Sequence, residues 1–432
     1  MNLLTVILGK LFLVFINIFG LGRGSTWPGH IALNINPNFS KELLKSSKAK
    51  IVLIAGTNGK TTTSKLIRTI LEDSGKKVLH NDAGANLENG LASILIRGSN
   101  ILGGLNYDYL IFESDENTLP LIINKIKPDF LILLNLFRDQ LDRYGEIDSI
   151  VKKWTFSIKT LNKNTKLIVN ADDAQLAYMA IKSRLKTSFF GLRGGTVHNI
   201  PHGADTIYCP RCNSKLNFEF ITFSHLGEWE CPKCKLQRPR LDIDGIENYP
   251  LPGSYNKYNT LAALLFSRLN GVNNETIKQS LRNFKPAFGR QEKIDVKGKK
   301  VQLFLSKNPT SFNESLNTIV SLRAKNILIV LNDRIPDGRD VSWIWDINLE
   351  SLKNFKNIVV SGDRCYDMAL RLKYSLSSKL QITNYKLQID ENLEKAINKA
   401  LNRTPTNQTL YVLPTYSAML EIRKILTGKE IL

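Results

Sequence analysis

The sequence predicts an α/β protein. A phosphate-binding loop domain on a parallel sheet carries a four-cysteine insert, and a smaller, doubly wound α/β domain follows it. Three observations lead there. Apolar runs rich in Ile, Val and Leu alternate with amphipathic stretches along most of the chain, the pattern of a parallel sheet covered on both faces. The stretch "IVLIAGTNGKTTT" sets a Gly-Lys-Thr turn between one such run and a helical pattern. Two Cys-x-x-Cys pairs interrupt the alternation at about 205–240.

At 432 residues the chain is too long for one ordinary core, so two or three domains are expected. Hydrophobic content of 43% and charged content of 23% are those of a globular protein. The net charge of +20 points to an anionic partner, whether nucleic acid, membrane surface or a phosphorylated substrate. It also matches a Lys-rich composition that spreads basic residues over every surface, because no block of five basic residues occurs. Of five cysteines, four fall in the two pairs and Cys365 stands alone. That distribution argues against a disulfide framework and for a reducing compartment with a metal site.

Taken in order, residues 1–40 form an apolar helix and a loop. The helix is broken by Lys10 and Asn17 and has neither the charged start nor the cleavage site of a signal peptide. It reads as a helix packed on the protein or lying on a membrane surface, with a spanning anchor as the alternative. Residues 41–293 form the central domain. Buried strands are expected at 50–56, 109–113, 129–135 and 166–170, with helices at 61–74, 148–161, 256–269 and 275–284. The polar, basic stretch "FKPAFGRQEKIDVKGKK" marks the boundary, and residues 294–432 form the last domain, with strands at 301–306, 326–332, 357–362 and 409–414.

In "GTNGKTT" the glycines Gly56 and Gly59 let the backbone amides of Thr57, Asn58 and their neighbours close around phosphate. Lys60 reaches the terminal phosphates, Thr61 offers its hydroxyl to magnesium, and Thr62 continues the helix whose N-terminal dipole faces the anion. The strict P-loop pattern is not met, because Ile54 stands where its first glycine belongs.

Cys209, Cys212, Cys231 and Cys234 are spaced C-x2-C-x18-C-x2-C, which is zinc spacing. Four thiolates close a tetrahedral site, so the metal is structural and its binding is folding free energy for the insert. "LNFEF" between the pairs alternates like a hairpin strand. Basic residues near it and the aromatics Phe218, Phe220 and Trp229 leave open a zinc-ribbon ATPase acting on nucleic acid. Nothing elsewhere resembles a nucleic-acid recognition motif, so no such partner is expected.

Six ordered motifs carry a family resemblance: "GTNGKTTT", "FESDENT", "NLFRDQLDRYGE", "VNADD", "GSYNKYNTLAA" and "FGRQEKI". Together they resemble the Mur ligase family, ATP-dependent enzymes that form amide bonds. The resemblance implies that Lys60 and Glu113 are catalytic, with Glu113 joining Thr61 on magnesium. It implies that Asn256 contacts the adenine and Arg290 the phosphate or ribose region. Family members carry His where this chain has Gln140, which puts a second magnesium in doubt.

The four-cysteine insert, "NDRIPDGRDVSWIWDINLE", "SGDRCYDMALRLKY" and "LPTYSAMLEIRKIL" narrow the resemblance to the MurT family, ligase subunits of bacterial lipid II isoglutaminyl synthase. The implied reaction is amidation of the D-isoglutamate α-carboxylate in the lipid II stem peptide, through an acyl phosphate made from ATP. Its ammonia would come from a partner glutaminase resembling GatD, whose histidine Asp346 would orient. Cys365 has no histidine in its domain, so this chain is not expected to use glutamine alone. Fewer than sixty residues precede Lys60, too few for a domain that holds a UDP-sugar. A lipid-linked substrate and a cytoplasmic, peripheral place at the inner face of the bacterial membrane are expected instead. A Mur-type ligase that adds an amino acid is the alternative.

Overall fold

The computed structural model describes residues 2–19, 26–81, 88–139, 147–195, 204–377 and 386–428. Gln140, His198 and His202 lie outside them. Strand β1 (Lys50–Ala55) leads into the phosphate loop and sits inside a six-stranded parallel sheet. The other members are β2 (Val78–His80), β3 (Tyr109–Ser114), β4 (Phe130–Leu133), β5 (Lys166–Asn170) and β6 (Thr187–Phe190). The order is β2-β3-β1-β4-β5-β6. The chain therefore adds strands on one side of β1 and then on the other. Loops leaving the carboxyl ends of β1, β3 and β4 open a crevice there, where such sheets bind ligands.

All six residues of β3 are buried, and five of the six in β1. That is why these strands read as unbroken apolar runs. Helices Lys60–Asp73, Ser254–Leu269 and Asn274–Asn283 cover one face, around Ile54, Ile67, Leu261 and Phe266. Helices Glu88–Gly98, Leu119–Ile126, Ile147–Ile158 and Ala174–Ser183 cover the other, around Leu53, Phe112 and Trp154.

The N-terminal region is more helical than the sequence indicated. After the helix Asn2–Ile18 comes Trp27–Ile35, in a stretch expected to be loop. Pro28 is pre-set for a first turn. Gly29 lets the helix press onto Glu88–Gly98: a Cβ there would stand 1.8 Å from the Asn89 carbonyl oxygen. Packing against a neighbour that is distant in sequence makes this helix, which explains why local pattern missed it.

The cysteine segment is an antiparallel hairpin, β7 (Asn217–Phe223) with β8 (Leu226–Glu230). It seats on helix Ala174–Ser183 through Leu216 and Trp229, and the Trp229 Nε1–H donates to the Ala171 carbonyl at 2.9 Å. Arg238 and Tyr258 both bond the buried Asp172 carboxylate, at 2.9 and 2.6 Å, fixing the insert to the sheet.

The second sheet holds β9 (Arg290–Val296), β10 (Lys299–Phe304), β11 (Asn326–Val330), β12 (Asn357–Ser361), β13 (Lys386–Ile389) and β14 (Thr409–Pro414). Its order is β13-β12-β11-β14-β10-β9, parallel except for the β9–β10 pair. Strand β9 runs through the expected boundary at 293/294 and belongs to this sheet. Helices Pro309–Ser321 and Cys365–Ser377 lie on one face, and Leu393–Arg403 and Tyr416–Thr427 on the other.

Candidate active site and metal centre

The loop after β1 is shaped by two glycines. Gly56 (φ 148°) and Gly59 (φ 93°) take backbone conformations that side chains resist. A Cβ on Gly59 would also stand 2.0 Å from Asn259 Oδ1. Asn135, at the end of β4, grips the loop from the other side. Its Oδ1 accepts from the Asn58 N–H at 2.9 Å, and its Nδ2 donates to the Asn58 carbonyl at 3.0 Å. The loop is thus pre-shaped, with Thr57, Lys60 and Thr62 buried around it.

Lys60 Nζ donates to the Gly56 carbonyl at 2.6 Å and lies 3.8 Å from Asp115. The Thr61 hydroxyl donates to Glu113 Oε2 at 2.8 Å, and Ser64 to Oε1 at 2.7 Å. His80 Nε2 is 3.3 Å from the same Oε1. Burial would push the Glu113 carboxyl up, but His80, Ser64 and Arg290 outweigh burial and hold it below the ordinary value. Glu113 is therefore an ionised carboxylate 2% exposed, beside a hydroxyl at a helix N-terminus. Two hard oxygens so placed are suited to magnesium.

Arg290 comes from the first residue of β9, in the second sheet. Burial depresses its guanidinium, while Glu113 and Tyr416 pull the other way. The strand passage through 290–296 is what brings this charge to the loop. Asn256 is 2% exposed at the start of helix Ser254–Leu269. Its Nδ2 donates to the Pro252 carbonyl at 2.7 Å, and its Oδ1 accepts from Asn259 at 3.3 Å. It thus stands behind Gly59, one hydrogen bond removed from the loop.

Several residues here were not singled out beforehand. Lys307, after β10, pairs with Asp139, and the carboxylates of Asp139, Glu116 and Asp115 all favour its charged form against burial. Asn308 Nδ2 donates to Asn58 Oδ1 at 3.4 Å. Glu116 and Asp139 each keep one buried oxygen, Oε1 and Oδ1, without a hydrogen-bond partner among the described residues. Asp115, Glu116 and Asp139 lay inside quoted motifs. Lys307 carried no signal, being one lysine of many, hundreds of residues from the loop.

Asp346 ends the 3₁₀ turn Ser342–Asp346. Its side chain is one-third exposed, and Oδ2 lies 3.4 Å from Arg138 Nη2. It lines a cleft of about 830 Å³ between the hairpin and the second sheet's helices.

The four insert cysteines converge, with ligand atoms within 4.8 Å of one another. Cys209 and Cys234 Sγ atoms are 3.6 Å apart, Cys212 and Cys231 3.4 Å. The Arg211 and Cys234 N–H groups donate to the sulfurs of Cys209 and Cys231 at 3.4 Å. Backbone donors of that kind stabilise thiolate charge, so the donor set suits a four-coordinate metal. Cys365 is separate, 1% exposed in the second core.

Comparison with known proteins agrees with this geometry. The family description "Mur ligase middle domain" matches residues 54–267, and "MurT ligase C-terminal" matches 305–419. The MurT subunit of the glutamine-hydrolysing lipid II isoglutaminyl synthase of Streptococcus pneumoniae is 32% identical, over 95% of this chain and 94% of that one. Its counterpart in Staphylococcus aureus strain COL is 30% identical, over 92% and 91%. Among solved structures, a pseudomurein peptide ligase type C from Methanothermus fervidus superposes with TM-score 0.65 at 22% identity, over 92% of this chain and 83% of that one. MurF ligase from Thermotoga maritima in complex with ADP gives 0.64 at 17%, over 91% and 83%.

Proposed function

The chain belongs to the MurT family of the Mur ligases, ATP-dependent enzymes that form carbon–nitrogen bonds in peptidoglycan synthesis, and from that premise we propose that it amidates the D-isoglutamate α-carboxylate of the lipid II stem peptide. The observation that carries the reading is one site built from both sheets. Lys60, Thr61 and Glu113 meet Arg290 and Lys307 around a pre-shaped phosphate loop.

In this reading Thr57, Asn58 and the flanking amides bind the ATP phosphates, Asn256 contacts the adenine, and Arg290 reaches the phosphate or ribose region. Thr61 and Glu113 would hold magnesium, which supplies charge neutralisation when bound. A substrate carboxylate oxygen attacks the γ-phosphorus and the bond to ADP breaks, giving an acyl phosphate. Lys60, Lys307 and Arg290 offset the charge gathering on the transferred group. Ammonia nitrogen then bonds the carbonyl carbon, the bond to phosphate breaks, and a proton leaves with the amide formed.

The ammonia comes from a separate glutaminase resembling GatD, docked where Asp346 can orient its histidine. The word "subunit" in the relatives' names supports a partner. The cysteine cluster holds a structural zinc. The chain is divided near 40 and just before β9, a few residues ahead of the expected 293, works in the cytoplasm, and rests on the inner face of the membrane. No described helix is long and apolar enough to cross a membrane. Helix Asn2–Ile18 buries Val6 and Ile16 but exposes Leu4, Leu11, Val14 and Ile18, an outer face suited to a lipid interface.

The test is incubation of the purified chain with lipid II, ATP, magnesium and ammonium, followed by mass spectrometry of the stem peptide. Conversion of glutamate to isoglutamine supports the reading. ADP formation that depends instead on an added amino acid would point to a different Mur-type ligase.

A further inference from the structure

The cleft beside Asp346 leads towards the nucleotide site. Helix Pro309–Ser321 forms one wall and presents Asn313, Glu314 and Asn317. Asp346 and Arg371 line the same cleft. Pro309 and Ser254 also line it. Pro309 directly follows Asn308, whose side chain touches Asn58 of the phosphate loop. Ser254 begins the helix that carries Asn256. The lining therefore runs from Asp346, where the glutaminase is proposed to dock, to residues close in sequence to Asn308 and Asn256.

One group in this wall has no part in phosphoryl transfer. Glu314 is 6% exposed, and its carboxylate accepts from Asn317 Nδ2 at 2.9 Å. No basic side chain pairs with it among the described residues. A buried carboxylate without a cation is costly, and it attracts a small one. The other titratable or charged groups nearby are Tyr255, from the adjacent helix, and Asp346, Glu350 and Arg371 around the cleft.

Ammonia in water is mostly ammonium, which has no lone pair to attack an acyl phosphate. We propose that Glu314 binds ammonium in this cleft and takes its proton, so that neutral ammonia goes on to the acyl phosphate. The proposal rests on the ligase reading above. The step balances: ammonium and carboxylate become ammonia and carboxylic acid. The acid returns its proton to solvent or departing phosphate after the amide forms. Burial pushes the Glu314 carboxyl up to about 7, so both of its forms are populated near neutral pH.

The experiment is ammonium-driven amidation by the full chain, followed against pH for wild type, Glu314→Gln and Glu314→Asp. In Glu314→Gln the KM for ammonium should rise about tenfold or more and the rate should lose its pH-dependent limb near neutrality, with the KM for ATP unchanged. A wild-type ammonium KM and pH profile in that variant would overturn the proposal. Should Glu314→Gln not fold, Glu314→Asp serves: a displaced limb supports the proposal, an unmoved one overturns it. Glutamine plus the partner subunit should show the same defect; a defect confined to ammonium salt would overturn the passage of partner-derived ammonia past Glu314. Absence of any amidation by the wild type would overturn the ligase reading itself, and this inference with it.

Discussion

Arg138 joins three parts of the molecule. Its Nε lies 2.5 Å from Asp205 Oδ1 at the base of the cysteine insert, and its Nη2 lies 3.4 Å from Asp346 Oδ2 on the second sheet's side. The same side chain follows Asn135, which grips the phosphate loop, by only three positions. The Asp346 carboxylate is therefore held in place by the central unit rather than projecting freely.

Asp346→Asn should keep this shape but lose the charge proposed to orient a partner's imidazole. With the glutaminase present, glutamine-driven amidation should fall by about two to four orders of magnitude. Ammonium-driven amidation should stay within about twofold of wild type. Parallel rate measurements with the two nitrogen sources check this, and an equal loss in both would reject the division of labour.

Lys60→Ala should lower the amidation rate by about a thousandfold, since it removes a charge that the proposed reaction sets against the transferred phosphoryl group. Glu113→Gln should do similar damage and should raise the magnesium concentration needed for half-maximal rate. Circular dichroism that matches wild type would show the fold intact. Normal turnover in either variant would remove these residues from the site.

One zinc per chain should be found by metal analysis, and Cys209→Ser should lose it. Trp229 offers a second readout, being 1% exposed and bonded to Ala171. Freeing the insert from metal should expose the indole and shift its emission to longer wavelength. A metal-free preparation with unchanged emission and melting temperature would contradict a structural zinc.

Glu314 also predicts a pH dependence of stability. Its folded carboxyl is raised to about 7, so the folded state binds a proton more tightly than the unfolded one. That proton's contribution is present below the ordinary carboxyl value and is lost as pH rises through about 7. Glu314→Gln should therefore gain stability relative to wild type, by roughly 3 kcal/mol at most above neutrality, with the gain shrinking as pH falls below about 7 and vanishing only below the ordinary carboxyl value. Urea melts at several pH values check the sign.

The parts legible in the sequence were those whose signal is local. Strands β1, β3, β5 and β14 are buried on both faces, so their apolar runs could be read directly. Short edge strands could not: β2 and β13 have three and four residues at sheet margins. Strand β9 buries only Gln291 and exposes Lys293 and Asp295, so it read as linker. The same division holds in the site. Lys60, Thr61 and the cysteines announce themselves by spacing. Lys307 and His80 matter only because folding carries them to Asp139 and Glu113, and no local pattern records that.

The cations around the phosphate loop come from both sheets, Lys60 from one and Arg290 and Lys307 from the other. A bound triphosphate is thus a tether between two bodies as well as a reactant. Any ligand held by both halves favours the arrangement in which both reach it. As the γ-phosphoryl group leaves the nucleotide, that tether is cut at its middle. On the proposed reaction, the step that transfers phosphate is also the step that ends the shared grip of the two halves on the nucleotide.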